Sequence, residues 1–170
     1  MSVDTMEKLY VSELKDLYSA ENQIIKTLPK LAKAAVSPEL KAAFENHLVE
    51  TRGQVERLEK IFQMMGGSPK GKSCAGMKGV LEEGAEILQE TEQGDVRDAA
   101  LISAAQRVEH YEMAGYGSVR SYAQLLGQPE AARLLQETLE EEEAADKKLT
   151  ELSKKLNANA RAQQKQHATA

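Results

Sequence analysis

The chain has 170 residues, 29% of them charged and 4% aromatic, with no Trp and four Pro; that length can bury one core, and the composition leans toward helix. A net charge of −5 with no basic stripe excludes a nucleic-acid partner, and the single Cys74 excludes a disulfide framework or a thiolate zinc site. No apolar run reaches the roughly 18–20 residues of a membrane span, and the opening MSVDTMEKLY lacks the regions of a signal peptide, so a cytoplasmic protein with no membrane partner is expected.

The first helix is marked by Tyr10, Leu14, Leu17, Ile24, Leu28, Leu31 and Ala35, whose steps of three and four residues make a bundle seam. One charged residue, Glu21, interrupts it. Ser37-Pro38 ends this helix and opens a second, with Ser37 as N-cap and Pro38 in the first turn. The second seam runs Leu40, Phe44, His47, Thr51, Gln54, Leu58, Ile61 and Met65, polar in its middle and apolar at its ends. Gly66-Gly67-Ser68-Pro69 stops the helix, and a small-residue stretch leads to a short helix from about Met77 to Thr91. A third long helix begins near Asp95 and carries Leu101, Ala105, Val108, Glu112, Gly115, Val119, Tyr122 and Leu126. Gly127-Gln128-Pro129 makes a tight turn into the last helix, with Ala131, Leu135, Thr138, Glu142, Ala145, Leu149, Leu152 and Leu156 on its seam. From Asn157 onward periodicity is lost, which predicts a bundle domain over residues 1–157 and a disordered tail over 158–170.

The two halves repeat. An offset of 91 residues carries the first seam onto the third-helix seam, Pro38-Glu39 onto Pro129-Glu130, Glu21 onto Glu112 and Glu50 onto Glu141. Each half is a tight antiparallel hairpin, and the segment between them is long enough to run back along the bundle. The expected architecture is therefore an all-α, ferritin-like four-helix bundle of two pseudo-symmetric hairpins, with a short extra helix in the long crossover.

Glu21 and Glu112 each precede their turn proline by 17 residues, and Glu50 and Glu141 follow theirs by 12, which puts all four near mid-bundle. Carboxylates crowded into an apolar core repel one another and lose hydration, and no Lys or Arg stands mid-seam to neutralise them. A pair of divalent metal ions, iron or manganese, resolves the conflict, since Glu bridges two metals and such bundles supply the cage. Glu109, one turn before Glu112, reads either as a further ligand or as a surface charge. His47 reads as a ligand, an orienting group or a satisfied core histidine. Gln54 reads as a hydrogen-bonding neighbour, and Glu142 with Asp146 as an ExxxD pair able to supply a ligand.

The strings DLYSAENQ, HLVETRGQVERLEKIF, VRDAALISAAQRVEHYEMAGYGS and LLQETLEEEEAADKKL resemble the YciF/YciE family of bacterial stress-response proteins over residues 4 to 156. That resemblance implies a ferritin-like, rubrerythrin-related bundle, a homodimer, induction under stress and a di-iron centre, with no electron donor specified. Compared with rubrerythrin, Glu21 resembles the first-helix ligand, Glu50 and Glu141 the bridging glutamates, and Glu109-x-x-Glu112 the ExxE pair. The histidine expected three residues after each bridge is replaced by Gly53 and Ala144, and the rubredoxin-like cysteines are missing. The leading expectation is a stress-response di-metal protein acting on peroxide, dioxygen or the metal itself, a rubrerythrin-like oxidoreductase if it turns over. The alternative is a metal-free structural bundle acting through dimerisation or protein partners.

Overall fold

The computed structural model describes residues 2–167. They form five helices: α1 (Met6–Ala34), α2 (Pro38–Met64), α3 (Ala75–Glu90), α4 (Asp95–Leu125) and α5 (Pro129–His167). The two predicted hairpins are α1–α2 and α4–α5, and α3 lies in the crossover, packed on α4 and α1. None of the described helices is long and apolar enough to cross a membrane.

The expected end of the last helix near Asn157 is corrected: α5 continues to His167, and residues 168–170 lie outside the described residues. No Gly or Pro interrupts the chain after Pro129, alanines keep helix propensity high, and Leu156 and Ala160 are buried at 3% and 9% exposure. Loss of seam periodicity was a poor sign of a helix end here, because an alanine-rich stretch needs little packing to stay helical.

The turns differ in how they close. Gly127, with φ of 67°, ends α4 in a Schellman arrangement in which Gln128 N donates to Ala123 O (2.9 Å) and Gly127 N to Gln124 O (3.1 Å). The α1–α2 turn has no such glycine. Its Val36 and Ser37 amides donate instead to the carboxylate of Asp98 on α4, at 2.9 and 2.6 Å, and Asp98 is fully buried. Ser37 Oγ caps α2 by accepting from Leu40 N at 3.3 Å, as its sequence position suggests.

The crossover is pinned at Cys74. Its amide donates to Ser19 Oγ (2.9 Å), its carbonyl accepts from Gln23 Nε2 (3.0 Å), and its Sγ lies 3.0 Å from Tyr111 Oη. Gly76, two residues on, admits a side chain only if Tyr111 shifts, since a Cβ there would stand 2.6 Å from Tyr111 Oη.

The apolar core falls into two clusters. One gathers Ile24, Leu28, Leu40, Phe44, Met77, Leu101, Val108 and Leu149; the other gathers Tyr10, Leu14, Leu17, Leu58, Ile61, Tyr116, Val119 and Leu135. On every long helix the polar seam residues fall between these clusters: Glu21 between Leu17 and Ile24, Glu112 between Val108 and Tyr116, His47 to Gln54 between Phe44 and Leu58, and Glu142 between Leu139 and Leu149. The bundle thus encloses one polar layer between two apolar plugs. Gly115 lets α1 and α4 approach across it, for a Cβ there would meet Leu17 Cδ2 at 2.7 Å.

Candidate metal centre

Helical spacing alone aims this layer inward. On α4 the i, i+3, i+7 series places Glu109, Glu112 and Tyr116 on one face, all at 3% exposure or less. On α1, Glu21 at 0% follows Leu17 by four residues. On α2, His47 is 6% exposed and Thr51 and Gln54 are fully buried. On α5, Thr138 and Glu142 continue the seam at 1% and 0%. His47, Glu109, Glu112 and Glu142 each offer one ligand atom such that all four atoms lie within 4.8 Å of one another. Glu21 adjoins this set, in contact with Glu112 and accepting a short hydrogen bond from Tyr116 Oη.

The layer is starved of partners. Glu21 Oε2, Glu109 Oε2, both oxygens of Glu112, both of Glu142 and His47 Nε2 are buried without a hydrogen-bond partner. Native interiors leave few such atoms, and seven in one cluster is an excess that a metal ion would relieve, or that protons shared between Glu21 and Glu112 and between Glu109 and Glu142 relieve in part. Among the described residues no Lys or Arg pairs with any member; the ion-pair contacts all run from His47, through Nε2 to Glu109 (3.5 Å) and Glu142 (3.7 Å) and through Nδ1 to Glu50 at the rim (3.2 Å).

Burial dominates the acid–base character. It raises Glu109 and Glu112 well above the usual carboxyl range, and it raises Glu142 despite the opposing charge of His47. Glu21 is pushed up to about 8 by burial and then by the charge on Glu142, against the hydrogen bond from Tyr116. Burial would lower His47, but the charge on Glu109 and the hydrogen bond with Glu50 outweigh it and push it up to about 10. Tyr116 is held far above the phenol range by burial and the nearby carboxylates, so it remains a donor to Glu21. Without a cation the cluster therefore retains protons, which a metal would displace.

The structure brings together Glu21, Glu109 and Glu112 from the expected ligands, and His47 and Glu142 beside them. It does not bring in Glu50 or Glu141. Glu50 stands at the rim, its side chain 47% exposed, with Oε2 3.2 Å from His47 Nδ1. Glu141 turns away and is held by Arg57 through two charge-assisted bonds of 2.7 and 2.5 Å, while Gln54 Nε2 donates to it at 3.2 Å. Asp146 lies toward the surface, engaged by Gln106 (3.0 Å) and His110 (3.3 Å). The physical reason is the ~100° step between neighbouring helical residues: Glu141 and Glu142 cannot both face the core, and the seam through Leu135 and Thr138 selects Glu142. Arg57 was missed, although it lies one turn after Gln54 on a polar stretch. Tyr116 packs in the core and also donates to Glu21.

Comparison with known proteins bears on the family and the fold. A family described as a domain of unknown function, DUF892, matches residues 5–163. Protein YciF of Escherichia coli K12 is 46% identical over 166 residues, covering 97% of this chain and 99% of its own. The crystal structure of the E. coli stress protein YciF superposes with a TM-score of 0.89 at 45% identity, covering 92% of this chain and 99% of that one. A ferritin-like, diiron-carboxylate protein from Bacillus anthracis shares the fold, with a TM-score of 0.68 at 17% identity, covering 90% and 99% of the two chains.

Proposed function

The chain belongs to the DUF892 family, which includes the stress protein YciF and has a ferritin-like fold, and from that premise we propose that its polar layer is a carboxylate-rich metal centre used under stress. One observation carries the reading: the seven buried, unpartnered donor atoms of Glu21, His47, Glu109, Glu112 and Glu142. Oxygen ligands with one imidazole suit Fe(II) or Mn(II) rather than thiolate-bound metals. His47, Glu109, Glu112 and Glu142 gather around one position, and Glu21 beside Glu112 extends the set toward a second ion. A redox-active pair of ions would supply electrons to peroxide or dioxygen.

The chain's own residues do the rest. Tyr116 orients Glu21 by donating to one of its oxygens, leaving the other free. Glu50 holds Nδ1 of His47, which fixes the ring with Nε2 facing Glu109 and Glu142. The two apolar plugs close the layer at both ends along the bundle, so charge–charge interactions among its fully buried members are strong. The test is metal content after anaerobic loading of the metal-free protein with Fe(II) or Mn(II). Close to two ions per chain, the content of a di-metal carboxylate bundle, lost in Glu112→Ala, is the expected result. No stoichiometric binding would favour the alternative, a metal-free structural bundle acting through dimerisation or protein partners.

A further inference from the structure

Glu21, Glu112 and Glu142 are sealed at 0% exposure, so an ion reaches them only past another member of the cluster. Two members meet open space. His47 and Glu109 form the floor of a cleft of about 410 Å³ between α2 and α5, with Ala43, Ala144 and Ala145 among its walls. Both floor residues are more than nine-tenths buried, and each carries an unpartnered polar atom, Nε2 and Oε2 respectively. The rim carries Glu39 and Glu50. Glu39 is engaged by Lys155 at 2.7 Å, whereas Glu50 touches the site itself, 3.2 Å from His47 Nδ1. Lys148 on α5 also lines the cleft, so attraction of an incoming ion falls to one carboxylate rather than to a general acidic field.

The opposite side of His47 and Glu109 differs. It abuts a small pocket walled by Leu28, Leu31, Leu81 and Val108, and a cavity of about 100 Å³ under α3 continues from it, with Lys30 among its lining residues. A hydrated dication passing there would lose water with no carboxylate to replace it. On the α2–α5 side donors follow one another: Glu50, then His47, then Glu109 at 3.5 Å and Glu142 at 3.7 Å from Nε2.

We propose that the α2–α5 cleft is the route by which divalent cations reach the centre, and that Glu50 is the carboxylate that captures them at its mouth before transfer to His47 and Glu109. This rests on the metal-centre reading and gives Glu50 a kinetic role outside the enclosed ligand set. The experiment is stopped-flow uptake of Co(II) by the full metal-free chain, followed through the visible absorption of the bound ion. Glu50→Gln keeps an acceptor for His47 Nδ1 but removes the charge; it should slow uptake by about tenfold, the scale of local electrostatic steering, at unchanged stoichiometry, with affinity falling less than the rate because His47 keeps its orienting partner. Ala145→Leu, which narrows the cleft, should slow uptake likewise, and Ala85→Phe on the α3 side should leave it unchanged. Uptake unaffected by both Glu50→Gln and Ala145→Leu overturns the route while leaving the centre standing. Weakened affinity at an unchanged uptake rate in Glu50→Gln makes Glu50 a ligand of the centre and overturns its capture role. Absence of Co(II), Fe(II) and Mn(II) binding by the unaltered chain removes the centre and the route together.

Discussion

Replacing Glu112 by methionine should make the metal-free protein more stable. Glu112 is fully buried, neither of its oxygens has a partner, and the Glu21, Glu109 and Glu142 carboxyls all act on it. Methionine has a similar volume and an unbranched stem, so it can fill the space without a cavity. Exchanging buried ionic groups for apolar ones of equal size is worth up to about 4 kcal/mol, and a gain of about 2 kcal/mol would raise Tm by roughly 4–8 °C in a chain of this size. The pH dependence has a definite sign. Burial, reinforced by its neighbours' charges, raises Glu112 above its ordinary 4.5, so above that pH the folded state keeps a proton that the unfolded state releases. Stability contributed by this group is greatest below 4.5 and falls as pH rises toward its folded value. The advantage of Glu112→Met should therefore be small at pH 5 and larger at pH 8, in thermal melts with chelator present. Adding Fe(II) or Mn(II) should reverse the order, because only the unaltered chain gains binding energy. A variant that melts lower than the parent without metal, or an advantage that shrinks with rising pH, would refute the electrostatic account of the layer.

Metal at a hundredfold its Kd should stabilise the parent chain by about 2.7 kcal/mol, or roughly 5–11 °C in Tm, and scanning calorimetry showing no shift with Mn(II) would count against the centre. Arg57→Met leaves Glu141 with Gln54 as its remaining hydrogen-bond donor and should cost about 1–3 kcal/mol in urea denaturation; an unchanged midpoint would mean the Arg57–Glu141 pair is energetically idle. Gly76→Ala drives a Cβ into Tyr111 and should cost about 1–3 kcal/mol while loosening α3, read as faster amide exchange over Ala75–Glu90; protection equal to the parent's would show that Tyr111 yields freely.

The fold was legible because its signals are local and repeated. The seams of α1 and α4 match position for position, and prolines and glycines mark the turns. The polar layer was legible at Glu21 and Glu112, where the repeat and the helical period agree. At α5 they disagreed: the repeat pointed to Glu141 and the seam to Glu142, and packing follows the period because only one rotation of α5 buries Leu135 and Leu149. Glu141 then needed a countercharge outside the core, which Arg57 supplies, but a partner 84 residues away has no local signature. Asp98 was invisible for the same reason. It reads as a first-turn acid on α4, yet it serves a turn in the other half.

That last contact has a consequence for the order in which the molecule comes together. The α4–α5 turn carries its own closure in Gly127 and the amides around it, whereas the amides of Val36 and Ser37 have no acceptor until α4 arrives. A peptide of residues 95–167 should form its hairpin alone, while residues 1–66 should remain frayed at their turn until the second peptide is added, as circular dichroism of the separate and mixed fragments would reveal. During synthesis the half that leaves the ribosome first is then the half that locks last, and its open seam must stay unpaired until the remainder of the chain emerges.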